Sequence, residues 1–209
     1  MNKYKYGRTP HLPYSEGVGD DDRKLETDEH FYNMNQVVVT VKMDGENTTV
    51  YPDGTFHARS LDSIHRDYHS WLLRNIQNWC YKLPEGYRVC GEYLYAKHSI
   101  RYDNLPSYLM CFSIWNEEKC LSWKKTKEIA EALGICMVTE LFIGNYNRDY
   151  IKYLAENIVK TGQEGLVVRN ADEYSIDAMG MNIAKYVRKD HVQTDQHWSL
   201  QKIEVNGLV

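Results

Sequence analysis

The stretch from Val37 to Asn47, VVVTVKMDGEN, constrains the fold more than any other part of the chain. Its β-branched residues from Val37 to Val41 read as a buried strand, since branched side chains lose freedom in a helix and pack well on a pleated surface. Gly45 reads as the turn that ends the strand, which leaves Lys42 where the strand stops. An ammonium is strongly hydrated and has little reason to close a buried strand, unless it is desolvated among charges that lower its pKa, as a nucleophilic amine requires. The alternative is a lysine that snorkels from the strand end to the surface.

Before this stretch, residues 1–35 carry Pro10, Pro13, Gly17, Gly19 and the acidic run Asp20 to Asp22 without a clear period. They are expected to form an irregular arm packed on the domain, with its charges solvated. After it, Thr48 to Tyr51 and Thr55 to Ser60 flank the turn residues Pro52, Asp53 and Gly54, which predicts a hairpin. From His65 to Leu83, the residues Tyr68, Trp71, Leu72, Ile76, Trp79 and Leu83 form the stripe of one amphipathic helix, ended by Pro84 and Gly86. Strands are expected over Arg88 to Ala96, Tyr108 to Trp115, Met137 to Ile143, Gly165 to Arg169 and Met181 to Val187. One helix is expected from an N-cap at Ser122 to Leu133, with Gly134 closing it; another runs from Arg148 to Lys160, with Asn147 as cap and Gly162 beyond. Interspersed in this way, the elements define an α+β class with mostly antiparallel sheets flanked by helices.

The chain of 209 residues suits one core, and residues 36–209 are taken as a single domain that the arm joins. No apolar run approaches membrane-spanning length, and residues 1–10 lack the apolar centre of a signal peptide, so no membrane partner is expected. The 5 cysteines include no CxxC pair, which speaks against a disulfide framework or a zinc knuckle and for a reducing, cytoplasmic setting. No zinc spacing such as HExxH occurs, so His57, His98, His191 and His197 are expected at the surface or in hydrogen bonds. A net charge of -4 argues against a generally basic nucleic-acid coat and leaves room for a local basic groove. The 17 tyrosines and 5 tryptophans can stack on nucleobases as well as fill a core.

Six short motifs stand in order: KMDGEN at 42–47, HARS at 57–60, GEYLY at 91–95, FSIW at 112–115, EGLVVR at 164–169 and AKYVRK at 184–189. Together they resemble the nucleotidyltransferase domain of the ATP-dependent RNA ligases, within the covalent nucleotidyltransferase superfamily that also holds DNA ligases and mRNA capping enzymes. The resemblance runs from about Val37 to His191. KxDGxN alone is a moderately specific pattern, whereas six motifs in family order are a strong one.

The resemblance implies a nucleotidyltransferase (ATP-grasp-like ligase) domain that uses ATP with Mg2+ or Mn2+. Lys42 matches the lysine that attacks the α-phosphorus and becomes lysyl-AMP, its pKa lowered by a metal ion and nearby cations. Met43, Gly45 and Asn47 belong to the same motif: the glycine lets the backbone turn close to the nucleotide, the asparagine helps shape the pocket, and Asp44 is structural or polar. Arg59 matches an arginine that holds phosphate or a nucleic-acid end, with a surface ion pair as its alternative. Glu92 matches the glutamate that binds the ribose, and a buried acid needs such a partner. Phe112 matches the aromatic that stacks on adenine, although any core strand could show it. Glu164 matches the carboxylate that helps bind the divalent metal, through water. Lys185 matches the lysine that contacts the α-phosphate. Some relatives have a second lysine two residues on; here Val187 stands there, with Arg188 and Lys189 beyond, so the source of a second cation is open.

The implied reaction is RNA ligation, with AMP passed to an RNA 5′-phosphate and a 3′-hydroxyl displacing it. Rival expectations keep the covalent lysine but act on DNA ends or transfer GMP, or keep the pocket as a non-catalytic module that binds nucleotide or RNA ends. The residues after Lys189 are too few for an OB-fold, so RNA engagement is expected to use this domain or a partner protein. Basic residues near the last motif and the tail HVQTDQHW could contact RNA phosphates, or simply be solvated.

Overall fold

The computed structural model describes residues 2–189 and 203–209. Its elements run β1 (Val37–Lys42), β2 (Glu46–Val50), β3 (Phe56–Ala58), α1 (Ser70–Ile76), β4 (Tyr87–Tyr93), β5 (Leu109–Asn116), β6 (Lys119–Cys120), α2 (Trp123–Leu133), β7 (Glu140–Gly144), α3 (Arg148–Lys160), β8 (Gly165–Asn170), β9 (Tyr174–Ser175), α4 (Met179–Asn182) and β10 (Ile183–Val187). The strands form two antiparallel sheets, one four-stranded in the order β10-β8-β1-β7 and one six-stranded in the order β3-β2-β4-β5-β6-β9. This is the α+β arrangement that the sequence predicts. No helix among the described residues is long and apolar enough to cross a membrane.

Successive side chains on a strand face opposite ways, and β1 has apolar cover on both sides. Val37 and Val39 pack with Leu166, Val168, Ala184 and the α3 residues Ile151 and Ala155, while Val38 packs on the other side with Ile183 and the core of the six-stranded sheet. A strand covered on both faces reads as an unbroken apolar run. Each valine buried in this way contributes on the order of 1.5–3 kcal/mol by leaving water.

The helix caps follow local chemistry. Ser122 Oγ accepts the Lys125 N–H at 3.3 Å, Gly134 ends α2 at φ 69, and Asn147 Oδ1 accepts the Tyr150 N–H at 3.0 Å. The stripe predicted as one helix from His65 to Leu83 breaks instead. Only Ser70–Ile76 is α-helical, with 3-10 turns at Asp67–His69 and Cys80–Lys82. Asn75 and Asn78 are weak helix formers, and the N–H groups of Asn78 and Trp79 bond back three residues, to Asn75 and Ile76. The tighter path still buries Leu72, Ile76, Trp79 and Leu83, so the apolar period survives where helix continuity does not. Four strands are also shorter than expected: β3 keeps only Phe56–Ala58, β4 stops at Tyr93, and β7 and β10 start late. β10 begins at Ile183, because the Asn182 side chain bonds the Ala178 carbonyl (2.9 Å) and closes a helical turn; β7 begins at Glu140, after Met137 makes a single bridge to Cys111.

The described part of the arm holds one 3-10 turn, Glu29–Asn33, and otherwise little regular structure. It is nevertheless bonded along the edge of β10. The Leu12 N–H donates to the Lys185 carbonyl (2.8 Å), the Lys185 N–H to Pro10 (2.9 Å), and the Gly17 N–H to Val187 (2.8 Å). A Cβ on Gly17 would run into the Arg188 carbonyl, so this close approach requires glycine. His191, His197 and the segment HVQTDQHW lie outside the described residues.

Candidate active site

A cavity of about 540 Å³ opens between the two sheets. The pleat and the register decide which side chains reach it. The β1, β8 and β10 residues that face away from α3 fall in rows: Lys42 beside Gly165, Thr40 beside Val167 beside Lys185, and Val38 beside Arg169 beside Ile183. Neighbouring strands lie about 4.8 Å apart, so Lys42 and Lys185 look into one cavity from strands two apart. From the six-stranded sheet, Asn47 and Glu92 arrive as a cross-strand pair, and Phe112 arrives from β5.

Of the residues that the sequence singles out, Lys42, Met43, Gly45, Asn47, Arg59, Glu92, Phe112 and Lys185 line the cavity. Glu164 sits just behind Lys42, buried, with its Oε2 2.6 Å from the Lys42 Nζ. Burial by itself would lower the Lys42 pKa, but the carboxylates of Glu164, Glu92 and Asp44 outweigh it and hold the amine above the ordinary lysine value. The fixed charges closest to Lys42 are acids, and acids favour the ammonium; the lowering expected from a metal ion belongs to the loaded site. Burial pushes the Glu92 carboxyl up to about 8, with Lys42 opposing the push and Glu164 adding to it.

The turn after β1 is held by its own polar groups. Asp44 Oδ2 accepts the N–H groups of Ser99 (2.7 Å) and Ile100 (2.8 Å), and its own N–H donates to the Tyr102 hydroxyl (3.0 Å). Asp44 thus anchors the loop that brings His98 to the cavity. The Gly45 N–H donates to Glu92 Oε1 at 3.1 Å, and a Cβ there would come within 2.6 Å of the Tyr93 carbonyl, so its glycine is needed against β4 itself. Phe112 serves as both core and cavity wall, 9% exposed and packed edge-on against Tyr6 at 5.3 Å. Arg59 stands exposed at the rim, while the Oδ1 of Asn47 is buried with no hydrogen-bond partner.

Lys185 Nζ donates to Asp22 Oδ1 of the arm at 3.1 Å, so the acidic run is not merely solvated. Neither Arg188 nor Lys189 is among the lining residues.

The model of the RNA ligase family matches residues 35–187. This chain belongs to the RNA ligase family. A search of curated proteins returned no match. Among solved structures, a lysine-to-alanine variant of Naegleria gruberi RNA ligase with ATP and Mn superposes with a TM-score of 0.58 at 15% identity, covering 92% of this chain and 63% of that one. An archaeal ATP-dependent RNA ligase gives 0.54 at 15% identity, covering 76% and 44%, and an Aquifex aeolicus protein described as an ATP-dependent DNA ligase gives 0.54 at 19%, covering 77% and 46%. The chain thus spans 44% to 63% of the length of these structures. At such identities the likeness establishes the fold.

Within this RNA ligase family member, the cavity holds groups beyond those singled out from the sequence. Arg169 is a buried guanidinium in the wall, bonded to the Phe112 carbonyl and lying over Trp123 (5.2 Å) and Phe112 (5.9 Å). Its signal in the sequence is a charge that ends the apolar alternation of LVVR. Glu46 also lines the cavity, tied to His69 Nε2 at 2.8 Å, and Thr40 Oγ1 is buried there without a partner. The family implies a divalent metal ion. Among the described residues no group of three or more histidine, cysteine, aspartate or glutamate side chains is placed to hold one, and Glu164 is paired with Lys42. These donors fit a hard cation carried mainly by phosphate oxygens and water, with Glu164 at its edge.

Proposed function

We propose that this chain carries the nucleotidyl-transfer site of an ATP-dependent RNA ligase, with Lys42 as the nucleophile. The observation that carries this is the placement of Lys42, a strand-end amine 2.6 Å from a buried carboxylate, facing a cavity that Glu92, Phe112, Asn47, Arg59 and Lys185 also line. A lysine kept for solubility would point to water.

The Lys42 ammonium first gives up a proton, and Glu164 lies within hydrogen-bond reach to take it. The freed lone pair attacks the α-phosphorus of ATP; a P–N bond forms as the P–O bond to pyrophosphate breaks. An RNA 5′-phosphate oxygen then attacks the AMP phosphorus, a P–O bond forming as the P–N bond to Lys42 breaks; a 3′-hydroxyl attacks the activated 5′-phosphate, loses its proton and expels AMP, sealing the strand. Lys185 offers its ammonium to the phosphate charge, Glu92 its carboxyl to the ribose, Phe112 its ring to adenine, and Arg59 its guanidinium to phosphate at the rim. The unpartnered Asn47 Oδ1 supports a ligand that brings its own donor, since buried polar atoms rarely stay unpaired. When bound, Mg2+ or Mn2+ supplies neutralisation of the phosphate charge.

Incubation with ATP labelled at the α-phosphate and Mg2+ is expected to label the wild-type chain covalently and to leave Lys42→Ala unlabelled. Absence of label on the wild type, or full label on Lys42→Ala, sinks the proposal. GTP in place of ATP, and nicked DNA in place of nicked RNA, test the guanylyl-transfer and DNA-end alternatives. Nucleotide binding without label would mark a binding module.

A further inference from the structure

A second cavity of about 520 Å³ adjoins the first and shares Thr9, Arg59 and Lys185 with it. Its remaining wall is arm, formed by Arg8 and the loop from Gly19 to Asp22. Lys185 therefore stands where two cavities meet, and Asp22 Oδ1 holds its ammonium there at 3.1 Å. Asp22 is itself fixed. Its Oδ2 accepts the Gly19 N–H at 3.1 Å and lies 3.1 Å from His11 Nε2. His11 is fully buried, with its Nδ1 2.8 Å from Ser15 Oγ, and Ser15 Oγ accepts the Val187 N–H at 3.0 Å. Contacts lead from Lys185 to Asp22 and on to His11, whose Nε2 lies against Asp22 without a hydrogen bond, and hydrogen bonds through Ser15 return to β10 at Val187. The backbone bonds of Pro10 and Leu12 to Lys185 clamp the same point from the main chain.

Building on the nucleotidyl transfer proposed above, we propose that Asp22 is the positioning residue of Lys185: braced by His11 and Ser15, it aims the ammonium at the phosphate site and keeps it charged. Burial draws the Lys185 amine below the ordinary lysine value, Asp22 opposes this, the positive charge of Lys42 adds to it, and Glu164 opposes it again. The arm contributes His11 and Asp22 to this set, β1 contributes Lys42, the residue before β8 contributes Glu164, and Arg8, Arg59, Asp20 and Asp21 complete the second cavity. His11 is lowered to about 4 by burial and by Lys185, so it packs against Asp22 as a neutral ring. Asp22 sits at about 2, because hydrogen bonds from Gly19 and Lys185 overcome the opposing effect of burial. It is therefore an anion throughout the working range, and removing it leaves burial less opposed.

The test is the rate of covalent labelling of the full chain at subsaturating ATP between about pH 6 and pH 9, for wild type, Asp22→Asn and Asp22→Glu. At pH 6, far below the ordinary lysine value, Asp22→Asn should stay within about threefold of wild type. The deficit should widen steadily as pH rises toward 9, its ceiling about tenfold for each unit by which the Lys185 pKa falls. Asp22→Glu keeps the anion and should track the wild type at every pH. A deficit of Asp22→Asn that is constant with pH overturns the proposal. A second measurement does not depend on ligation: acetylation of Lys185 by limiting acetic anhydride across the same range, read by peptide mass spectrometry. Its midpoint should fall in Asp22→Asn, and equal midpoints overturn the proposal. An unlabelled wild type would instead sink the nucleotidyl-transfer reading, while the acetylation midpoints would still decide the role of Asp22.

Discussion

Lys42 and Lys185 face one cavity from one sheet, two strands apart, yet their surroundings push them in opposite directions. Around Lys42, burial is outweighed by acids that belong to the motif segments themselves: Glu164, Glu92 and Asp44. Around Lys185, burial prevails, and the acid in contact with it comes from the arm, 163 residues away in sequence. In the proposed reaction, the nucleophile is thus stored as an ammonium by its own motif, and the lysine offered to phosphate is kept charged from outside the motifs. The proposed reaction asks different things of equal side chains: Lys42 is to lose its proton, and Lys185 is to keep it.

The sharpest way to break this comparison is to give both positions the same permanent cation. Arginine keeps a charge but has no accessible neutral form. Lys42→Arg should lose labelling by about 10³-fold or more, which corresponds to about 4 kcal/mol in the barrier. Lys185→Arg should retain labelling within about tenfold, because only a charge is required there. The measurement is single-turnover labelling at saturating ATP; equal losses at the two positions would show that the lysines are not distinguished in this way.

What was legible in the sequence divides along the same line. β1 and the caps at Ser122 and Asn147 are decided by neighbours in the chain, through alternation, turn chemistry and side-chain bonds to nearby N–H groups, so the sequence exposes them. The motif residues are legible by spacing, and the register then brings them to one cavity. The arm has no period, so nothing local foretells that Leu12 and Gly17 bond to β10 or that Asp22 meets Lys185. The acids around Lys42 were illegible for a related reason: residue types at a motif do not say which charges end up within a few ångströms. The single helix expected from His65 to Leu83 failed because an apolar stripe is satisfied by a short helix between two 3-10 turns as well as by one long helix.

A smaller effect sharpens the comparison from the side of the acids. Glu92 titrates at about 8 in the folded protein, above the ordinary value of 4.5, so the folded state holds a proton that the unfolded chain has lost between those pH values. Stability is linked to the difference in bound protons, so this carboxyl makes the protein less stable as pH rises from 4.5 to about 8, with the loss complete above that window. Glu92→Gln removes the titration and can still accept the Gly45 N–H. Its melting temperature relative to wild type should rise through this window and be highest at its alkaline end, while labelling falls about tenfold through the lost ribose contact, about 1.4 kcal/mol. Parallel melting curves against pH would remove Glu92 from the acids that set the Lys42 environment.

The smallest effect on labelling is expected where structure supports the site without touching it. Asn206 is buried in the segment 203–209, where its Oδ1 accepts the Tyr102 N–H (3.0 Å) and its Nδ2 donates to the Leu94 carbonyl (2.8 Å). Tyr102 in turn receives the Asp44 N–H, so Asn206 lies two contacts from the turn after Lys42. Asn206→Ala leaves a buried donor and acceptor unpaired, which costs about 1–3 kcal/mol each if nothing relaxes. The melting temperature should then fall by about 4 °C at the least, and by up to about 24 °C if neither group finds a new partner, for a chain of this size. Asp44 keeps its bonds to Ser99 and Ile100, which hold the turn from the other side, so labelling at 25 °C should change less than about threefold, under 1 kcal/mol. A large loss of labelling at unchanged melting temperature would place Asn206 with Asp22, among the distant residues that tune a lysine, and would extend to Lys42 the dependence on outside segments that now distinguishes Lys185.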